Sequence, residues 1–389
     1  MNFGRWVSSA DRALGLAADH VKLIRSVTPR NADSELALLE RSFRRGSPRA
    51  PRWEYEPAPV RPELCRALER LATFVEDRFP LGPVYAARAR ELCLEASIIE
   101  SVGTPKVRTL AAQRFVGASE DDHADQEKAD ELAAAWTRSG GSGIDTQPAG
   151  VSVEWSERVR SCDEREPKSL VSRMSSEAGR HRLPMRVVVQ TSLASLAATG
   201  DGAIFVAAGR WLTHRDVERT VLHEIAGHAL PRARASSAPL GLFAIGTARG
   251  VDDQEGRALL IEEAAGFLDA SRCFELGLRH IGARATLAGA TIIEVVEMLL
   301  ARSARLETAV RIGARVQRGG PGAGGGGLAR EIAYLPALVR VRRATQGRFA
   351  AVVERMMAGG RIAVDVAPLL ATYPTESGPI EGDDLRLEE

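Results

Sequence analysis

Residues 221–230 read VLHEIAGHAL. In the H-E-x-x-H signature of metallopeptidases the two histidines stand at i and i+4, about 40° apart around an α-helix. Here they are His223 and His228, at i and i+5. On a regular helix that spacing puts them about 140° apart, too far round to grip one ion. One turn of i to i+5 hydrogen bonding, a π-bulge, closes the angle to roughly 50°, and such bulges tend to occur at functional sites. Gly227 is expected to tolerate the distorted backbone. Glu224, next to the first histidine, is then the candidate general base toward a metal-bound water. The stretch also suits structural histidines on a helix whose Val217, Val221 and Ile225 form an apolar stripe. The motif alone leaves both readings open.

The flanks place the motif on a helix that follows two strands. MRVVVQ (185–190) and AIFVAA (203–208) are short β-branched runs with the glycine turn TGDG (199–202) nearby. THRDVERTVLHEIAGHAL (213–230) returns to helical spacing, with Thr213 as N-cap, Asp216 three residues on, and an end expected before Pro231. Zinc in hydrolytic sites takes three protein ligands and a water, so a third ligand is expected downstream. GVDDQEGRALLIEEAAG (250–266) offers Glu255 and Glu262, two turns apart on one helix face. Gly256 would let another backbone come close. Glutamates also suit any exposed helix, so Glu255 is the favoured ligand without being fixed by spacing.

Further out, LALLERSF, PELCRALERLATFVEDRF and ARARELCLEASII make the first ~135 residues read as helices. PRWEYEPAP is an extended connector, and ASEDDHADQEKADEL (118–132) reads as a solvated helix face or loop. RSGGSGIDTQPAG (138–150) is the clearest linker. More helices are expected at 253–276, 288–317 and 328–345. The glycine run 319–327 lacks the G-K-[ST] of a phosphate loop and reads as a mobile loop that could cover a site. The tail after Tyr373 is acidic and expected to be disordered. His214 and His280 read as structural.

Bulk properties exclude several classes. Fifty-two basic residues against 51 acidic give a net charge of +1, no support for a nucleic-acid or membrane-surface role. Only Lys22, Lys106, Lys128 and Lys168 are lysines; the arginine excess reads as codon bias in a GC-rich genome. Cys65, Cys93, Cys162 and Cys273 are widely spaced, which fits free thiols in a reducing compartment. No apolar run reaches 18 residues and the N-terminus lacks a signal-peptide core. A cytoplasmic protein is expected.

Taken together, HEIAGH (223–228) and QEGRA (254–258) resemble the paired motifs of the microtubule-associated tyrosine carboxypeptidase family, whose bacterial relatives are often labelled flavohaemoglobin expression-modulating QEGLA-motif proteins. PLGLFAIGTARGVDDQEGRA (239–258), LAREIAYLPALVRV (328–341), PRNADSELALLERSF (29–43) and RWEYEP (52–57) are similar to other parts of the same family. The resemblance runs from about residue 10 to residue 370. It departs at Ala226-Gly227, where the family has Gly-Thr, and at Arg257, where it has leucine. LAREIAYL also lacks the family's phenylalanine and lysine.

The resemblance implies a mostly helical α+β, zincin-like metallopeptidase with a small sheet and an active-site helix. The expected layout is a helical N-terminal region (1–140), a catalytic domain (141–373) and the tail (374–389). Carried over by motif, His223, His228 and Glu255 match zinc ligands, Glu224 the base, Tyr334 the family tyrosine and Arg318 an arginine-glycine element. Glu262 would support the ligands from behind. Arg318 and Arg330 are the arginines best placed in sequence to hold a substrate carboxylate. The expected activity is zinc carboxypeptidase cleavage at the C-terminus of a peptide or protein, with Tyr or Phe as the first expectation. Eukaryotic members act on tubulin tails; the composition points to a bacterial source, so that substrate is not carried over. A non-catalytic regulator with a structural zinc, and a zinc endopeptidase, are the alternatives.

Overall fold

The computed structural model describes residues 3–57, 62–117, 119–139, 158–191, 193–200 and 202–373. Most of the linker expected at 138–150, and all of the acidic tail, lie outside these residues. The architecture is helix-rich with two small sheets.

Five strands, β1 (Arg158–Arg160), β2 (Arg186–Gln190), β3 (Ala197–Thr199), β4 (Ala203–Ala207) and β5 (Trp211–Thr213), lead into the motif helix. β4 is central: β2 pairs with it in parallel, Val188 opposite Phe205, and β3 pairs antiparallel, Ala198 opposite Phe205. β1 and β5 form a separate antiparallel pair. The β-branched runs of β2 and β4 were legible; β1, β3 and β5 are three residues each and owe their shape to partners. Ile204 and Val206 of β4 meet Met174 of the Leu170–Arg180 helix and the stripe Val217, Val221 and Ile225, forming one core.

Thr213 and Asp216 close a capping box at the start of the His214–Leu222 helix. The chain then widens into π-helix over His223–Ala229, as the i, i+5 spacing requires. The helix does not end before Pro231; a further stretch, Leu230–Ala235, contains it. Leu230 donates its N–H to Ile225 O, an i to i−5 bond. The next bond of that series would run from residue 231 to Ala226 O, and proline has no N–H. Arg257 Nη1 takes that carbonyl at 3.1 Å. The wide turn thus supplies a proline site that a regular helix interior would refuse.

Turn chemistry splits the helices expected at 253–276 and 288–317. Gly266 at φ +74° and a bond from Phe267 N to Glu262 O end the Gly250–Ala264 helix, and Asp269 caps the Ala270–Ala288 helix. Gly289 at φ +104° ends that one, Thr291 caps Ile292–Leu300, and a bend containing Ser303 at φ +65° precedes Leu306–Gln317.

The apolar cores cross residue 140. Leu14, Tyr85 and Leu92 pack with Leu242, Phe243, Val341 and Met357. The charged 118–132 stretch belongs to a helix, Glu120–Ser139, that is not solvated all round. Ala129 and Ala133 join Leu259, Leu276 and Leu338 in the core. Its fully buried Asp125 takes Arg343 at 2.7 and 3.2 Å. Buried Arg114 on the Lys106–Phe115 helix binds Glu91, Glu95 and Asp252 at 3.0, 2.9 and 2.7 Å. That ties the front helices to the Gly250–Ala264 helix.

The glycine run 319–327 is not a free loop. A Cβ on Gly325 would lie 1.7 Å from Gly289 O, and one on Gly320 2.1 Å from Gly326 O. These positions exclude side chains because backbone segments touch there. The run lines no part of the cleft described below.

Candidate metal centre and cleft

The π-turn brings His223 and His228 onto one face. Their Nε2 atoms are 3.2 Å apart. The Gly250–Ala264 helix crosses beside them, and Glu255 Oε2 lies 3.5 Å from His223 Nε2 and 3.6 Å from His228 Nε2. Among the described residues these are the one group of three or more His, Cys, Asp or Glu whose ligand atoms all lie within 4.8 Å of one another. Four ligands held tetrahedrally at about 2.0–2.1 Å from an ion are about 3.3–3.4 Å apart. The observed triangle has those edges, which suits a small divalent cation.

Two close packings bring the helices together. A Cβ on Gly227 would lie 2.6 Å from Ala258 Cβ. Gly227 lies within the π-helical turn as expected and is not among the positive-φ glycines, so close approach is a second service it performs there. A Cβ on Gly256 would lie 2.5 Å from Ala337 C and O. Here the expected close backbone is present, supplied by the Tyr334–Thr345 helix.

Two of the three proposed ligands, His223 and Glu255, are oriented from behind. Glu262 Oε1 is 2.7 Å from His223 Nδ1. A proton on Nδ1 shared with that carboxylate leaves the Nε2 lone pair facing the other ligands. Glu262 is fully buried and is gripped by Arg272 at 2.9 and 3.1 Å. Burial pushes its carboxyl up, but His223 and Arg272 together hold it down to about 2. Glu255 Oε1 accepts from Arg330 Nη2 at 3.0 Å, leaving Oε2 for the histidines. Burial opposes charge on His223, yet Glu255 and Glu262 push its pKa up to about 9.

Glu224 lines the adjoining cleft, a cavity of about 500 Å³. Its Oε2 accepts from Thr199 Oγ1 at 2.8 Å. Tyr334 also lines the cleft, under the guanidinium of Arg279 at 4.6 Å. Burial, and next Glu255, raise its phenol pKa, so it stays protonated. Phe274, Leu278 and Ile312 supply an apolar wall.

Arg318 and Arg330 do not line this cleft. Arg330 is held by Glu255. Arg318 donates to Arg315 O at 3.0 Å, and burial plus Arg315 push its pKa down to about 10. The cleft arginines are others: Arg219, Arg272, Arg279, Arg311 and Arg315 among them. Buried Glu331 organises two of them, accepting from Arg279 Nε at 2.7 Å and Arg315 Nε at 3.0 Å. Glu275 opens on the same cleft, where burial is outweighed by Arg272 and Arg279, which hold its carboxyl down to about 2. The sequence carried a signal for these arginines. Arg272 and Arg279 are seven residues apart and Arg311 and Arg315 four, so each pair shares a helix face. His214 and His280 are apart from the metal group; buried His280 pairs with Asp130 at 2.7 Å. No described helix is long and apolar enough to cross a membrane.

The family model described as microtubule-associated tyrosine carboxypeptidase matches residues 40–380. No curated protein matches the chain. That match spans most of the sequence, and the chain belongs to the microtubule-associated tyrosine carboxypeptidase family, which implies a peptidase of carboxypeptidase type acting on a peptide or protein.

Proposed function

We propose that the chain is a zinc carboxypeptidase in which His223, His228 and Glu255 hold the metal and Glu224 is the general base. The observation that carries this reading is the triangle of two imidazole nitrogens and one carboxylate oxygen with 3.2, 3.5 and 3.6 Å edges, beside a cleft glutamate. Two imidazole nitrogens and one carboxylate oxygen in that geometry fit zinc. When bound, zinc supplies a Lewis acid for the scissile carbonyl and lowers the pKa of its water.

The chain's own residues do the rest. Glu224 takes the proton from the attacking water and delivers it to the departing amine. Tyr334, a cleft residue whose phenol stays protonated, donates to the carbonyl oxygen as charge grows on it. An exopeptidase must also fix the terminal carboxylate. We assign that task to Arg279 and Arg315, held by Glu331 at the cleft wall, in place of Arg318 and Arg330. Their planar guanidinium groups suit a carboxylate. The apolar wall of Phe274, Leu278 and Ile312 favours an aromatic or aliphatic terminal side chain, consistent with Tyr or Phe.

The test is digestion of a peptide library with varied C-termini by zinc-loaded protein. Removal of a single C-terminal residue is expected, abolished in Glu224→Gln with zinc retained. Internal cuts would make the enzyme an endopeptidase. Absence of cleavage from every peptide would leave a structural zinc and refute the enzyme reading. The intact glutamate argues for the enzyme, since a structural site needs ligands but no base.

A further inference from the structure

We infer that Thr199 is a positioning residue for Glu224, fixing the orientation of its carboxylate so that one oxygen is held and the other faces the cleft; this rests on the carboxypeptidase reading. Nothing in the motif points to Thr199, which lies 25 residues upstream of Glu224. The fold brings them together. β3 is the edge strand of its sheet, paired with β4 and in contact with the π-helical turn. Thr199 ends that strand opposite Ile204, and the bond from Gly200 N to Ala203 O fixes the turn that follows.

A threonine hydroxyl has one proton. Here it points to Glu224 Oε2 at 2.8 Å, with the Glu224 main-chain oxygen a more distant second acceptor at 3.4 Å. Glu224 Oε1 takes no hydrogen bond from a described residue, and it belongs to a side chain that lines the cleft. One oxygen is therefore held and the other is left with its lone pairs for a water proton. A terminal carboxylate torsion is broad and nearly two-fold, so without a donor the group turns freely between orientations. The oxygen now held would also be a buried acceptor without a partner, and rotation toward the cleft is the cheapest way to solvate it. β-branching adds to the effect: Thr199 has few side-chain rotamers in a strand, so its hydroxyl is itself fixed.

Three features separate this from mere satisfaction of a buried group. The bond goes to the side chain that carries the chemistry, not to a ligand. The donor comes from a different element than the motif. Only one of the two oxygens is engaged.

The experiment compares wild type, Thr199→Val and Thr199→Ser, all zinc-loaded, on the best peptide from the library. Thr199→Val keeps shape and removes the donor; Thr199→Ser keeps the hydroxyl. The expected result is kcat lower by about 10- to 100-fold in Thr199→Val, with KM within about twofold and zinc content and melting temperature as in wild type. Thr199→Ser should recover most of the rate. Equal kcat in wild type and Thr199→Val overturns the inference while leaving the peptidase reading intact. A loss in Thr199→Val matched by lost zinc or lost stability, or one that serine does not restore, also overturns it, because either marks a structural role. An inactive wild type overturns both.

Discussion

Replacing Gly227 by alanine should weaken metal binding without touching a ligand. The new Cβ would lie 2.6 Å from Ala258 Cβ and 3.3 Å from Ala258 Cα. Apolar carbons rest at about 3.5–4.0 Å, so the two helices must part by about 1 Å. His228 rides on one of them and Glu255 on the other, with 3.6 Å between their nearest ligand atoms. Parting by that amount opens this edge to about 4.6 Å, against about 3.4 Å in a tetrahedral site. Overpacking of this kind costs about 1–3 kcal/mol. If the free protein relieves the strain by separating the helices, metal binding must restore it, so the affinity falls by about 5- to 150-fold. Competition with a chromophoric zinc chelator measures this directly. Ala258→Gly removes the clashing methyl and should return most of the affinity in the double variant, at about 0.5–1 kcal/mol of helix stability. Wild-type affinity in Gly227→Ala, or no recovery in the double variant, would refute the argument that this contact sets the distance between ligands.

Other consequences can be measured on the same protein. Glu262→Gln keeps an acceptor for His223 but loses the charge and faces Arg272 with an amide; zinc affinity should drop about 10- to 100-fold in the chelator assay, with the fold retained. Saturating zinc at about 1,000 times its Kd should stabilise wild type by about 4 kcal/mol, seen as a higher melting temperature that chelator reverses, and Glu255→Ala should lose this response. Unchanged zinc content in Glu255→Ala would remove it from the ligand set. Arg114→Met leaves buried carboxylates without their cation and should cost about 3–5 kcal/mol in urea unfolding at pH 7. Burial already pushes the Glu91 carboxyl above its usual value, with Arg114 the largest opposing influence. A carboxyl raised in the folded state favours folding when protonated. The deficit of Arg114→Met relative to wild type should therefore shrink as pH falls toward 4 and grow as pH rises; a constant deficit would count against the assignment.

The motif region was legible because its chemistry is local. Two histidines five apart admit one ion only if the helix widens, and His223–Ala229 is π-helical. The β-branched runs of β2 and β4 and the Val217, Val221, Ile225 stripe follow from periodicity alone. What stayed hidden depends on partners far along the chain. Thr199 ends a three-residue strand too short to be read from periodicity, and its hydroxyl meets Glu224 only through the pairing of β3 with β4 and the contact of β3 with the π-helical turn. Arg279 and Arg315 were lost among many arginines, since nothing local marks Glu331 as the group that gathers them. Arg318 and Arg330 were favoured for their nearness in sequence to a motif, while the helix-face spacing that groups Arg272 with Arg279 and Arg311 with Arg315 went unused; neither Arg318 nor Arg330 lines the cleft. The glycine run looked mobile for a similar reason: glycine marks freedom and tight backbone packing alike, and only the neighbours of Gly320 and Gly325 tell which.

The carbonyl of Ala226, taken by Arg257 because Pro231 cannot donate to it, bears on how this sequence can drift. Arg257 follows Gly256 in the QEGRA stretch, and Pro231 lies three residues beyond the second histidine. The two residues are not equally free to change. Losing the arginine strands a backbone acceptor, while replacing the proline with an ordinary residue restores an N–H and leaves the guanidinium to Glu354, its other partner at 2.8 Å. Among descendants of this chain the two positions should therefore covary, with the proline free to revert first and the arginine only after it.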